Sequence, residues 1–176
     1  MSSHAVDGVI PAGDVAPAFT LPVMDPGRGT SGDQASVPDP AARGLQLAVF
    51  FKNTCPTCRL ALTFIQRIHE HVAGAGGQVL GISQDGADGA ASLARELSLT
   101  FPILVDGADY PVSRRYDLIS VPTLYLIDRD GTIRRSGTGF HKQGLMLMAE
   151  DLAGSVGAGP VALYRDGDSV PDFKPG

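Results

Sequence analysis

Along Pro56 to Val72 the apolar residues recur at helical spacing. Leu60, Ala61, Phe64, Ile65, Ile68 and Val72 fall on one face, with Arg59, Thr63, Gln66, Arg67 and Glu70 opposite. The pattern predicts an amphipathic helix, stopped by Gly74, Gly76 and Gly77. Before it, Leu45 to Phe51 is apolar except for Gln46 and has the length of a buried strand. Gln78 to Ser83 reads as a second strand, and Ile103 to Val105 as a third, entered through Phe101 and Pro102. Between these two lies a predicted helix, Asp88 to Leu97, with Asp88 at its N-cap. Tyr110 to Tyr116 predicts a short helix. Thr123 to Ile127 and Thr132 to Arg135 predict two strands around Asp128-Arg129-Asp130-Gly131, whose Asp-Gly pair signals a hairpin. His141 to Ala153 predicts a closing helix. Strand-helix alternation that ends in a hairpin and a helix predicts an α/β fold, a central mixed sheet flanked by helices on both faces.

Outside this frame the pattern weakens. Residues 22 to 44 are punctuated by Pro22, Pro26-Gly27, Gly29, Gly32, Pro38, Pro40 and Gly44. They read as a long surface connection with one short strand at Ala35-Ser36-Val37. From Gly154 onward the chain is again rich in glycine and reads as a loosely packed tail, in which Val161 to Tyr164 could add an edge strand. The expected organisation is a single domain over residues 1–176, with a core at about 11–153 and a tail at 154–176.

Composition narrows the function classes. A chain of 176 residues, 43% hydrophobic, can bury a core that needs no disulfide or metal to stand. A formal net charge of -5, with no block of like charges, argues against nucleic acid and anionic membrane surfaces as partners. The longest apolar run, Leu47 to Phe51, is far short of a membrane span. The start, Met1-Ser2-Ser3-His4, carries no basic and apolar secretory pattern, which points to the cytoplasm as the sequence is written.

Both cysteines sit in one motif, Cys55-Pro56-Thr57-Cys58, after the buried strand and at the start of the amphipathic helix. Unpaired N–H groups and the macrodipole at a helix N-terminus favour an anion, so Cys55 is expected to carry thiolate character. Cys58 is one turn on, close enough to close a disulfide, and is expected to lie buried beneath Cys55. Pro56 in the first turn lacks an N–H that would be unpaired anyway. Lys52 and Arg59 add positive charge nearby and are expected to lower the thiol pKa further. A zinc site would need two more ligands from His4, His69, His71 and His141. His69 and His71 are about four helical turns from Cys55, out of reach, so no metal or other cofactor is expected. The same two histidines are expected on or beside a solvated helix face, and His141 at the start of the last helix.

These pieces together resemble the thioredoxin fold. They are most similar to its redoxin branch, the TlpA-like thiol-disulfide oxidoreductases and the alkyl hydroperoxide reductase/thiol-specific antioxidant proteins. Gly13-Asp14-Val15-Ala16-Pro17-Ala18-Phe19-Thr20-Leu21 is similar to that branch's N-terminal signature. Leu47 to Cys58 resembles its strand and active-site helix start, and Val79 to Gln84 its next strand. Phe101 to Asp106 resembles the strand of its inserted strand-helix unit, Val121-Pro122-Thr123 its cis-proline loop, and Asp128 to Gly131 its closing hairpin. The resemblance implies a cis Val121–Pro122 bond opposite Cys55, whose backbone edge pairs with a substrate strand. It implies substrate contacts from Thr54, Pro56, Thr57, Val121 and Pro122. Two positions depart from the branch: Thr54 stands where Trp is usual, and Val49 where thioredoxins carry a buried acid.

The resemblance implies a thiol-disulfide oxidoreductase with Cys55 as nucleophile and Cys58 as resolving thiol. Its partners would be a protein or small-molecule disulfide and a thiol reductant or reductase that recycles the pair. Two alternatives stay open. One is a peroxiredoxin-type hydroperoxide reductase with an antioxidant role, although Lys52 stands where that chemistry wants Thr or Ser, three residues before the reactive cysteine. The other is a non-catalytic binding module on the same scaffold. Many TlpA-like proteins are exported, so an exported location also stays open.

Overall fold

The computed structural model describes residues 8–25 and 29–176, with no side chains for residue 25 and residues 29–31. His4 and the Pro26-Gly27 turn lie outside the described residues. A seven-stranded mixed sheet runs through the molecule. Its strands are β1 (Phe19–Asp25), β2 (Gly29–Val37), β3 (Gln46–Phe51), β4 (Gln78–Ser83), β5 (Ile103–Val105), β6 (Thr123–Ile127) and β7 (Ile133–Thr138). Their spatial order is β2-β1-β5-β4-β3-β6-β7. Among the described residues four α-helices accompany it: α1 (Pro56–Val72), α2 (Ala87–Leu97), α3 (Pro111–Arg115) and α4 (Lys142–Val156). A two-stranded ribbon pairs β8 (Phe140–His141) with β9 (Phe173–Lys174). Among the described residues no helix is long and apolar enough to cross a membrane.

β3 is central and buried along its whole length, which is why its sequence does not alternate. Leu47, Val49 and Phe51 face the layer formed by α1, α2 and α4. Ala48 and Phe50 face the other side, where Phe19, Tyr116 and Tyr125 close over them beside α3. β3 runs parallel to β4, from Gln46 opposite Gln78 to Phe51 opposite Ser83. It runs antiparallel to β6, with Phe50 opposite Thr123. The end of β3 is therefore level with the start of β6. That register puts the loop before β6 beside the segment leading into α1.

α1 spans the predicted residues and buries Ala61, Phe64, Ile65, Ile68 and Val72 from the predicted stripe. Each fully buried aliphatic side chain there contributes about 1.5–3 kcal/mol. The buried face is wider than predicted, because Leu62 and Gln66 also face inward. Gln66 is accommodated by bonds: its amide donates to Thr100 Oγ1 at 2.7 Å, and its carbonyl accepts the Thr100 N–H at 2.9 Å. His69 is half-buried beside the solvated face, edge-on to Phe101 at 6.0 Å, and burial lowers its pKa below the ordinary histidine value. α2 is capped by Gly86 instead of Asp88, which lies in the first turn, where its charge still suits the helix dipole.

Two expectations are corrected. β1 and β2 pair antiparallel, where a surface connection with one short strand was expected, because β1 finds a second partner in β5. Pro22 borders a register shift in the β1–β2 pair, where a missing N–H is tolerated. The stretch after α4 is not loose, and Val161 to Tyr164 form no strand. Leu163 is fully buried against the α1–α4 layer. Arg67 donates to the Leu163 carbonyl at 3.0 Å and pairs with Asp168 at 2.6 Å, and the Tyr164 hydroxyl donates to the Lys142 carbonyl at 2.6 Å. Those apolar residues pack against helices and so do not extend a sheet edge.

Phe50 is fully buried, with its ring centroid 5.0 Å from that of Tyr116 and 6.2 Å from that of Tyr125. Phe50→Ala empties the centre of this cluster and is expected to cost about 3–5 kcal/mol. Urea titration should show a lower midpoint at unchanged slope.

Candidate active site

The chain leaves β3 at Phe51 and turns through Lys52, Asn53 and Thr54 into α1. Asn53 braces this turn. Its N–H donates to the Asp85 carboxylate at 2.7 Å and its side-chain amide to the Gly89 carbonyl at 2.6 Å. Cys55 then takes the N-cap position with extended backbone, φ -88° and ψ 111°. Its sulfur accepts the Cys58 N–H at 3.1 Å, one of the donors a helix start leaves unpaired. Its thiol also donates to the Val121 carbonyl at 3.3 Å. Pro56 occupies the first turn, as its missing N–H allows.

Both thiols are free, and they differ in burial: Cys55 is half-buried and Cys58 fully buried. Burial pushes the Cys58 thiol well above its ordinary pKa, and the hydrogen bond with Cys55 adds to the rise. Val49, in the position of the missing acid, is itself fully buried in the same hydrophobic layer. The layer beneath Cys58 thus presents hydrocarbon at that position.

The Val121–Pro122 peptide bond is cis, and a second cis bond, Val37–Pro38, lies on the other side of the sheet order at the end of β2. The loop before β6 is held from below: Thr123 Oγ1 donates to the Ser120 carbonyl at 2.8 Å, and the Gly139 N–H to the Pro122 carbonyl at 2.8 Å. Val121 also lines a hollow of about 240 Å³ with Lys52, Gln84, Tyr110, Ser113 and Arg114.

The structure thus brings Cys55, Cys58 and Val121 into direct contact. Thr54 and Pro56 are exposed on the lip. Thr57 is only 4% exposed, and its hydroxyl donates to the Pro175 carbonyl at 2.6 Å. The two cations expected to act on Cys55 are engaged elsewhere. Arg59 pairs with Glu96 at 2.7 Å and donates to the Asn53 carbonyl at 3.1 Å, so its charge is matched by a carboxylate. Lys52 places its ammonium 5.7 Å from the Tyr110 ring centroid.

Two features escaped the sequence reading. The Asn53–Asp85–Gly89 brace could have been suspected from Asp85 just ahead of a helix, but its partner lies 32 residues away. The contact between Thr57 and Pro175 spans 118 residues and leaves no local signal.

The AhpC/TSA family profile matches residues 12–136. No curated protein matches the sequence. Among solved structures, a Chlorobium tepidum protein named as thiol:disulfide interchange protein DsbE is 21% identical with a TM-score of 0.66, over 82% of this chain and 97% of that one. A Bacteroides thetaiotaomicron protein named as a protein disulfide isomerase is 17% identical with a TM-score of 0.71, over 85% and 92%. The peroxidoxin BcpB of Mycobacterium tuberculosis is 18% identical with a TM-score of 0.59, over 85% and 96%. Likeness at these identities is likeness of fold, and the mixed sheet is thioredoxin-like.

Cys55 is half-buried at the cleft, whereas Cys58 is fully buried and burial raises its pKa. Limiting iodoacetamide on the reduced protein is expected to label Cys55 alone, with Cys58 labelled only after denaturation. Peptide mass mapping checks this, and labelling of Cys58 in the folded protein would reverse the assignment.

Proposed function

The chain belongs to the AhpC/TSA family, and from that premise we propose that it is a thiol-disulfide oxidoreductase working through Cys55 and Cys58. One observation carries the proposal: the Cys55 sulfur at the α1 N-terminus lies between the Cys58 N–H and the Val121 carbonyl, with the second thiol buried one turn below.

The Cys55 thiolate attacks one sulfur of a substrate disulfide, and the other sulfur leaves as a thiolate that takes up a proton. The Cys58 N–H supports negative charge on Cys55 before the attack. Cys58, kept protonated by burial until then, attacks the Cys55 sulfur of the mixed disulfide, and its proton passes to the substrate sulfur that leaves. The second substrate thiol is released and the Cys55–Cys58 disulfide forms. Two electrons have passed to the substrate, and a dithiol reductase or two equivalents of a small thiol restore the pair. In a reducing compartment such as the cytoplasm the pair runs in this direction. Val121 and Pro122 form the wall against which substrate meets Cys55, with Thr54 and Pro56 on the outer lip.

Cys55→Ser is expected to reduce turnover of a small disulfide by more than about a thousandfold, since it removes the nucleophile. Cys58→Ser is expected to accumulate a mixed disulfide on Cys55, because the resolving thiol is gone. Intact-mass spectrometry after exposure to oxidised glutathione reads out the adduct. A parallel sample of Cys58→Ser receives low hydrogen peroxide, where slow, non-selective oxidation is expected. Rapid, stoichiometric sulfenic acid on Cys55 would instead identify a hydroperoxide reductase. No adduct and no oxidation would leave a binding module.

A further inference from the structure

We propose that residues 173–176 set the substrate class of the dithiol site, filling the cleft beside Val121 so that it takes small disulfides and excludes those flanked by polypeptide. The inference rests on the reading of Cys55 and Cys58 as a thiol-disulfide pair.

The cleft over Cys55 has two walls. One is the first turn of α1, where Thr57 follows the nucleophile. The other is the Val121–Pro122 backbone, which touches the Cys55 sulfur. Residues 173–176 bridge them. The Pro175 carbonyl accepts from the Thr57 hydroxyl at 2.6 Å. Gly176 lies against Val121 so closely that an added Cβ would collide with the Val121 carbonyl. A polypeptide carrying a disulfide to Cys55 needs room for backbone on both sides of the reacting sulfur. The space between Thr57 and Val121 is already occupied by this chain's own backbone.

The segment is placed there by a run of contacts. Leu163 is buried, and Arg67 holds Asp168 at 2.6 Å. The Lys142 N–H donates to the Asp172 carbonyl at 3.0 Å, and β9 pairs with β8. The Phe173 ring lies 4.4 Å from that of His141. Gly139, with φ +73°, stands where a Cβ would come within 2.8 Å of the Lys174 carbonyl, so the approach of the segment requires glycine there. Val121 also lines the hollow of about 240 Å³ beside Lys52, which none of residues 173–176 lines and which is sized for one arm of a small disulfide and not for a folded chain.

The experiment compares the full chain, a deletion of residues 173–176, and Phe173→Ala, which loosens the segment while keeping it. Circular dichroism verifies folding, and kcat/KM is measured for oxidised glutathione and for insulin. The deletion is expected to raise the insulin value about tenfold, equivalent to about 1.4 kcal/mol, with glutathione within about twofold. Phe173→Ala is expected to move the insulin value in the same direction, and it decides the matter if the deletion does not fold. Insulin values equal in all folded proteins would overturn the inference while glutathione turnover leaves the oxidoreductase reading standing. An equal rise for both substrates would also overturn it, since the segment would then shield Cys55 from every disulfide. Silence toward both substrates in every protein would overturn the oxidoreductase reading, and this inference with it.

Discussion

The site depends on two backbone groups meeting at one sulfur. The Cys58 N–H comes with the helix, because a cap residue is always near the third N–H of the turn it starts. The Val121 carbonyl comes from 66 residues away and reaches Cys55 only through the sheet. The antiparallel register of β3 and β6, with Phe50 opposite Thr123, levels the two strand ends so that the loops beyond them touch. A one-residue slip of β6 would exchange Leu124 and Leu126 with Tyr125 and Ile127 between the two core layers and carry Val121 away from Cys55. The buried alternation of Leu47, Val49 and Phe51 against Ala48 and Phe50 holds that register. The core on both faces of β3 is thus the foundation of the chemistry at its end.

The two thiols differ because the helix start lies at a boundary. Cys55 faces the cleft, while Cys58, one turn further, points into the layer shared by α1, α2 and α4. Hydrocarbon around a thiol opposes ionisation, and with Val49 in place of an acid nothing at that position draws the proton away. The arrangement separates the roles: one sulfur meets what arrives, and the other is held in its neutral form. The charges that the sequence places nearby do not blur this division. Glu96 takes up Arg59, and Tyr110 lies under Lys52.

The segment after α4 is an instance of distant packing that alters a site without belonging to its motif. Its ionic anchor, Asp168, pairs with Arg67 in the C-terminal half of α1, Leu163 is buried in the same layer, and Pro175 meets Thr57 in the first turn. Thr57 is exposed to substrate in a motif considered alone and is buried in the folded chain.

The sequence alone was sufficient for what local periodicity and short-range chemistry dictate. The helical stripe of α1, the apolar run of β3, the Asp-Gly hairpin between β6 and β7 and the Cys55-Pro56-Thr57-Cys58 cap each depend on neighbours within about one or two turns of chain, so their residues carry the signal. Packing between distant segments decided the rest. β1 is a strand because β5 lies beside it, although proline and glycine make its surroundings read as loop. Gln66 is buried because Thr100 satisfies it, and Arg59 is ion-paired because Glu96 of α2 lies alongside. Val161 to Tyr164 is no strand because helices, not a sheet edge, offer the apolar surface it covers. Thr57 is buried with its hydroxyl held by Pro175, more than a hundred positions away, whose few local contacts leave no period to read. Burial and hydrogen-bond satisfaction are properties of the assembled chain, and these positions depend on them.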